Sequence, residues 1–153
     1  MQKFKTKVKE AIQANASPPS LARSFTFGIV GALFPIPAST TVLCTLFAWV
    51  FQLNMPVVML MNFGLLPVQL ALIVPFAWLG STVSGVELPA VTVDAIMGTM
   101  ESDGFRGLLG KFGVPLGMAI VGWSLASLVL GIPMYMIWLR VVASVKKSQG
   151  AAK

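Results

Sequence analysis

The polar side chains that could do chemistry in this sequence are few, and most lie close together. Ser39, Thr40 and Thr41 follow Pro35-Ile36-Pro37 after a single residue, Ala38, inside the almost wholly apolar run from Phe27 to Pro56. Each proline removes a helical bond to the carbonyl four residues back, at Gly31 and Leu33. The amides of Ser39 to Val42 then open a new helix, whose start carries a partial positive charge and is a ready anion site. Pro35, Pro37, Ser39, Thr40 and Thr41 are therefore candidate binding residues, for a polar group such as a lipid phosphate. Asn54, Asn62 and Gln69 join them as amides inside or beside apolar stretches. Asn62 and Gln69 are seven residues apart, so an unbroken helix would put them on one face. The alternative is structural: the hydroxyls serve the local backbone, and the amides bond across helices as glue.

Bond-making chemistry is not expected. The chain has no histidine and one cysteine, Cys44, in an apolar run. That removes the commonest general base and the commonest metal ligand, so no metal site is expected and no cofactor beyond a bound lipid. Glu87, Asp94, Glu101 and Asp103 are spread along one polar segment with no nucleophile–base pair among them, and solvated acids are the plain reading. The basic stretches are short and fit membrane anchoring better than nucleic acid.

Composition sets the solvent. Of 153 residues, 56% are hydrophobic and 10% charged, against about 25% charged in a soluble domain. Mean hydropathy is +0.84. The expected fold class is an all-α integral membrane protein. Its segments are a basic amphipathic stretch over residues 1–19, a membrane domain over 20–140 and a basic tail over 141–153. No apolar core follows the basic start directly, so a secretory signal peptide is not expected.

Within the membrane domain, residues 21–34 form a helical segment too short to cross about 30 Å of hydrocarbon. Pro35-Ile36-Pro37 ends it. Ser39, Thr40 or Thr41 caps a fresh helix running to about Leu53, and Asn54-Met55-Pro56 breaks the chain again. A long apolar stretch covers 57–83, kinked or split by Pro67 and Pro75. Residues 84–112 are polar-flavoured, with stripes at Val93, Ile96, Met97 and Met100 and at Phe105, Leu108, Leu109 and Phe112. They read as one or two interfacial helices in a loop. Residues 114–139 are a clear span with Tyr135 and Trp138 near its end.

Charge orients these elements. Both tails are basic, while the segment 84–112 has two basic against four acidic residues. The positive-inside rule puts both ends in the cytoplasm, so the number of crossings is even. Three apolar blocks fit that count if 21–53 enters and leaves on one side. The expectation is a proline-broken re-entrant helical hairpin plus two transmembrane helices. The rival arrangement lets 21–53 cross as a kinked helix and hides an extra turn near Pro67.

The run ARSFTFGIVGALFPIPASTTVLCTLFAWVFQLNMPVVMLMNFGLLP resembles the prokaryotic membrane family catalogued as domain of unknown function twenty-sixty-two. The family pattern is a basic lead-in, an aromatic-then-glycine helix, a Pro-x-Pro turn (Pro35, Pro37) and an Asn-x-Pro (Asn54, Pro56). A further proline block follows. The resemblance covers residues 20–83 and, weakly, the last span. The usual glycine after Pro-x-Pro is Ala38 here. The usual later Asn-Pro is Leu66-Pro67, with Asn62 upstream. The resemblance implies a small, multi-pass bacterial inner-membrane protein, sometimes found beside glycosyltransferases, with no established activity.

Two functions compete. One is transport-like or lipid-handling work through the hairpin, in a homo-oligomer. The other is a structural or accessory subunit of a larger membrane complex. No charged residue lies between Arg23 and Glu87, which disfavours ion-coupled transport because that needs an intramembrane carboxylate. Gly28, Gly31, Gly113, Gly117 and Gly122 are the candidate helix-packing positions.

Overall fold

The computed structural model describes residues 17–36, 38–88 and 92–150, with side chains through Lys147. The expected amphipathic helix at the N-terminus lies outside these residues. All five described elements are helices: α1 Pro18–Ala32, α2 Thr40–Val50, α3 Met55–Gly64, α4 Leu66–Ser84 and α5 Val93–Gly150.

Helix α1 starts earlier than the sequence reading placed it. Ser17 is the extended N-cap and Pro18-Pro19 fill the first helical positions. A proline there loses no bond, because the first amides have no intrahelical partner anyway. The Ser-Pro-Pro-Ser run is thus the head of the helix, and Ser20 lies inside it. The far end tightens before Pro35: the Phe34 amide donates to Gly31 O at 3.2 Å rather than one residue further back.

Helix α2 ends with Gln52 at φ 51°, and the Leu53 amide donates to Ala48 O at 2.9 Å. This is a left-handed C-terminal cap, and Leu53 packs with Ala48 in one apolar cluster. Asn54 then caps α3, its Oδ1 accepting from the Val57 amide at 3.2 Å. The apolar stretch 57–83 is split rather than continuous. Leu65 interrupts it at φ −100° and ψ 5°, and Pro67 falls in the first turn of α4. Pro75 stays inside α4, which ends at Gly85 with φ 68°.

The polar segment 84–112 divides at Gly85. Residues beyond Val93 are helical and run on into the last span, with non-helical breaks at Gly104 (φ 65°, ψ −164°) and Phe112 (φ −119°, ψ 15°). Ile96 and Leu108 fold back into a buried cluster with Ile73 and Leu116. Phe105 and Leu109 of the second stripe stay exposed.

Pairs of contacts give the helix directions. Phe27 stacks on Phe51 while Gly31, one turn on, abuts Cys44, so α2 runs antiparallel to α1. Ser24 accepts from the Asn54 amide and Gly28 abuts Met61, so α3 runs parallel to α1. Trp138 stacks on Phe25 with centroids 4.2 Å apart, while Trp123 reaches Val30, so α5 runs antiparallel to α1. Leu21, Phe25, Val57, Met61 and Val142 gather in a buried cluster at the end of the bundle where α1 begins. Helices α4 and α5 cross at Gly80 and Gly122, where a Cβ on either glycine would strike the other helix's backbone. Two helices, α4 and α5, are long and apolar enough to cross a membrane by length and composition.

Candidate functional site

The turn between α1 and α2 must leave carbonyls without their helical amides, and the structure shows which ones are served. Because the Phe34 amide goes to Gly31 O, Val30 O loses its usual partner. The indole of Trp123 supplies the replacement: Nε1 donates to Val30 O at 2.9 Å. The next carbonyl at the turn, Phe34 O, accepts from Gln69 Nε2 at 3.0 Å. The carbonyls that draw long-range donors are therefore Val30 and Phe34, not Gly31 and Leu33 as the proline positions alone imply. One tightened turn shifts the pattern. The Phe34 ring meets Trp123 edge-on with centroids 5.0 Å apart, so one indole supplies both a hydrogen bond and an aromatic wall.

Asn62 serves the other side of the turn. Its Nδ2 donates to Thr41 Oγ1 at 3.0 Å, and its Oδ1 faces the Cys44 thiol at 3.7 Å. Both ends of this buried amide are thus engaged with α2. Ser39 takes the N-cap position of α2 but makes no side-chain cap bond, and its hydroxyl turns back to Ile36 O at 2.9 Å. Thr40 and Pro35 are buried. Pro37 lies outside the described residues.

Gln69 differs from Asn62. It is 1% exposed, its Nε2 is committed to Phe34 O, and its buried Oε1 has no hydrogen-bond partner among the described residues. A buried acceptor without a partner costs about 1–3 kcal/mol. Gln69 is where the fold carries an unmet demand for a donor.

The candidate residues divide into two groups. Thr41, Asn62 and Gln69 close on the hairpin tip. Asn54 stands at the opposite end of the hairpin, bonded through its amide to Ser24 Oγ at 2.8 Å. Eight residues separate Ser24 from Ala32, the last residue of α1, which is about 12 Å of helix. The glycines divide too. Gly28 and Gly31 pack on Met61 and Cys44, and Gly122 packs on α4, whereas a Cβ at Gly113 or Gly117 would meet nothing within 4 Å. Gly80 and Trp123 were not singled out as site or packing residues from sequence. An indole N–H at the middle of an apolar span was the available signal for Trp123, since it needs an acceptor there.

Beside the tip lies an apolar cleft of about 190 Å³ between α1, α4 and α5. Ile29, Val30 and Leu33 form one wall, Leu72 and Phe76 a second, and Trp123 its inner end. Leu72 is one turn beyond Gln69 on α4. The cleft is of a size and character to hold an apolar chain. Among the described residues no group of acidic, histidine or cysteine side chains could hold a metal ion.

No curated protein and no solved structure matches the chain. The model of a family described as "Uncharacterized protein conserved in bacteria" matches residues 1–150, which extends the likeness read over 20–83 to almost the whole sequence. With the Pro-x-Pro turn, its serving amides and both long helices inside that match, the chain belongs to the bacterial family DUF2062.

Proposed function

We propose that this is a multi-pass protein of the bacterial inner membrane that handles lipid at a re-entrant hairpin, with both termini cytoplasmic. The observation that carries the reading is the hairpin tip itself. Backbone is broken at Pro35, yet Gln69 and Trp123, from two different apolar helices, serve its carbonyls. Broken backbone inside a membrane is tolerated where protein surrounds and serves it, and here protein donors from α4 and α5 do so.

Several observations support the membrane reading. Only 22% of the most apolar stretch of α4 and 6% of that of α5 is buried within the chain. A soluble core helix would have that surface covered. Val42, Trp49, Leu128 and Ile132 are each at least 70% exposed. Re-entry is supported by directions: α2 runs back beside α1, and Asn54 returns to the level of Ser24. The tip meets Gln69, near the middle of the combined run 55–84, and Trp123, well inside the last span. Helix α1, at 15 residues, is about 22 Å long and too short to cross.

Lipid enters as the occupant of the cleft: an acyl or similar chain fits between Leu33, Leu72 and Trp123. The test is gentle-detergent purification with mass determination of the intact particle and identification of its lipids. A homo-oligomer carrying lipid that Ala126→Trp displaces supports the reading, because Ala126 lines the cleft. Lipid retention unchanged by that substitution overturns it.

The alternative is an accessory subunit of a larger membrane complex. The outward row Thr41, Val42, Thr45, Leu46 and Trp49 favours it, since these residues line an open apolar groove of about 410 Å³ on α2. Recovery of the chain in fixed ratio with one other membrane protein would decide for it.

A further inference from the structure

A second and larger hollow lies away from the hairpin, at the C-terminal end of α4. It measures about 580 Å³ and is lined by Val74, Ala77, Trp78, Ser81, Thr82 and the stretch 85–88. The helical part of this lining recurs at three- and four-residue steps, so it forms one face of α4. From Val74 to Gly85 that face runs about 16 Å. Its character changes along the way, from the apolar Val74, Ala77 and Trp78 to the hydroxyls of Ser81 and Thr82. Beyond Gly85 the chain turns back, and Glu87 joins the lining at the polar end.

The hydrogen-bond inventory of the polar end is one-sided. Ser81 Oγ donates to Trp78 O at 2.8 Å and Thr82 Oγ1 donates to the same carbonyl at 2.9 Å. Both hydroxyl protons are therefore committed to the helix, and the oxygens keep their lone pairs for a ligand. The Glu87 carboxylate is an acceptor. The end of α4 carries the negative pole of the helix. The Trp78 ring, 70% exposed, presents a π surface to the same hollow. Among the described residues no lysine or arginine lines it. Every side-chain feature at this end favours a cation that donates hydrogen bonds.

The geometry points to a binding site for a phospholipid with a primary-amine head group. Its ammonium sits among Glu87, Ser81 Oγ and Thr82 Oγ1, and its upper chain lies along Val74, Ala77 and Trp78. An ethanolamine-type head supplies three N–H donors to this acceptor set. A choline head has the charge and no donor. All three lipids carry the same phosphate, and of them the glycerol head alone has no cation to set against Glu87. This site is separate from the cleft at the hairpin tip and stands on different residues.

The test uses the full chain in detergent with equal amounts of phosphatidylethanolamine, phosphatidylcholine and phosphatidylglycerol of matched chains, read by native mass spectrometry. The expected result is several-fold enrichment of ethanolamine adducts over choline adducts, reduced to near parity in Glu87→Gln. Glu87 is exposed, so this variant should fold, and an unchanged unfolding temperature checks it. Ser81→Ala provides a second variant and should weaken the preference in the same direction. Equal retention of the ethanolamine and choline lipids by the native chain overturns the site. So does preferential retention of the glycerol lipid, or an ethanolamine preference that survives Glu87→Gln.

Discussion

Gly80 and Gly122 meet backbone to backbone: a Cβ built on Gly80 would lie 3.0 Å from the Gly122 amide nitrogen, and one on Gly122 would lie 3.0 Å from that of Gly80. Nearer still are the carbonyls of Met118 and Phe76 respectively. These obstacles are backbone, so no side-chain rotation can clear them. Gly80→Ala or Gly122→Ala must push α4 and α5 apart and lose the contacts around the crossing. Overpacking of this kind costs about 1–3 kcal/mol and can exceed that against backbone. The purified variants should unfold several degrees below the native chain in the same detergent. Gly117→Ala, with nothing near its would-be Cβ, is the control and should shift little.

Ala38 holds φ 65°, in the left-handed region where a Cβ costs about 1–2 kcal/mol. Ala38→Gly should therefore raise thermal stability, by roughly 1 kcal/mol, and Ala38→Val should lower it. Thermal unfolding followed by tryptophan fluorescence reads both. A stabilising valine would show that the turn adopts another shape.

Gln69→Leu and Trp123→Phe each remove one donor from the hairpin tip and keep most of the side-chain volume. Each leaves a buried carbonyl, Phe34 O or Val30 O, without its long-range partner. Trp123→Phe should cost about 1–3 kcal/mol, and Gln69→Leu less, because it also removes the unpartnered Oε1. The two carbonyls belong to one turn, so the double variant should lose less than the sum of the singles. Strict additivity would mean that the two bonds act independently.

Sidedness is tested with a membrane-impermeant thiol reagent on single cysteines in a Cys44→Ser background. Serine keeps a hydroxyl donor beside Asn62 Oδ1. Lys3→Cys and Lys147→Cys should label from one side and Ser102→Cys from the other. Labelling of positions 3 and 147 from opposite sides would sink the re-entrant hairpin.

Asp103 and Lys111 pair across the Gly104 break at 2.7 Å. The hydrogen bond from Lys111 and its charge hold the Asp103 carboxyl below its ordinary value. A depressed carboxyl stabilises at pH above its unfolded value, and that contribution fades as pH falls through the folded value. Both partners are exposed, so the effect is local. Carbon-detected NMR should find the Asp103 titration moved upward in Lys111→Ala, with the unfolding temperature at neutral pH unchanged.

Much of the architecture was legible because proline and composition leave few choices in an apolar chain. Pro35 marked the turn, and Asn54-Met55-Pro56 marked a break, which the structure shows to be the start of α3. The role given to Asn54 was another matter. An asparagine ahead of a helical proline most often caps, and its Oδ1 is used that way here, far from the tip. The seven-residue spacing of Asn62 and Gln69 gives one face only in an unbroken helix, and the prolines left the stretch kinked or split. Leu65 interrupts it, and the two amides reach the hairpin from separate helices. Small residues at positions 113 and 117 matched a packing motif, but spacing cannot say which helix face finds a neighbour. The close crossing uses Gly80 and Gly122 instead. Which carbonyls would need donors depended on a single tightened turn at Phe34, a matter of one residue that no pattern encodes.

The bond between Trp123 and Val30 also sets a clock. The two residues are 93 positions apart, and synthesis proceeds at about 5–20 residues per second. Val30 therefore leaves the ribosome roughly 5–20 s before the indole that completes its backbone. During that interval the turn between α1 and α2 lacks the indole that serves Val30 O. The last span is thus the piece that closes the first, and a chain truncated before residue 123 would carry an open seam at its hairpin for the machinery of quality control to find.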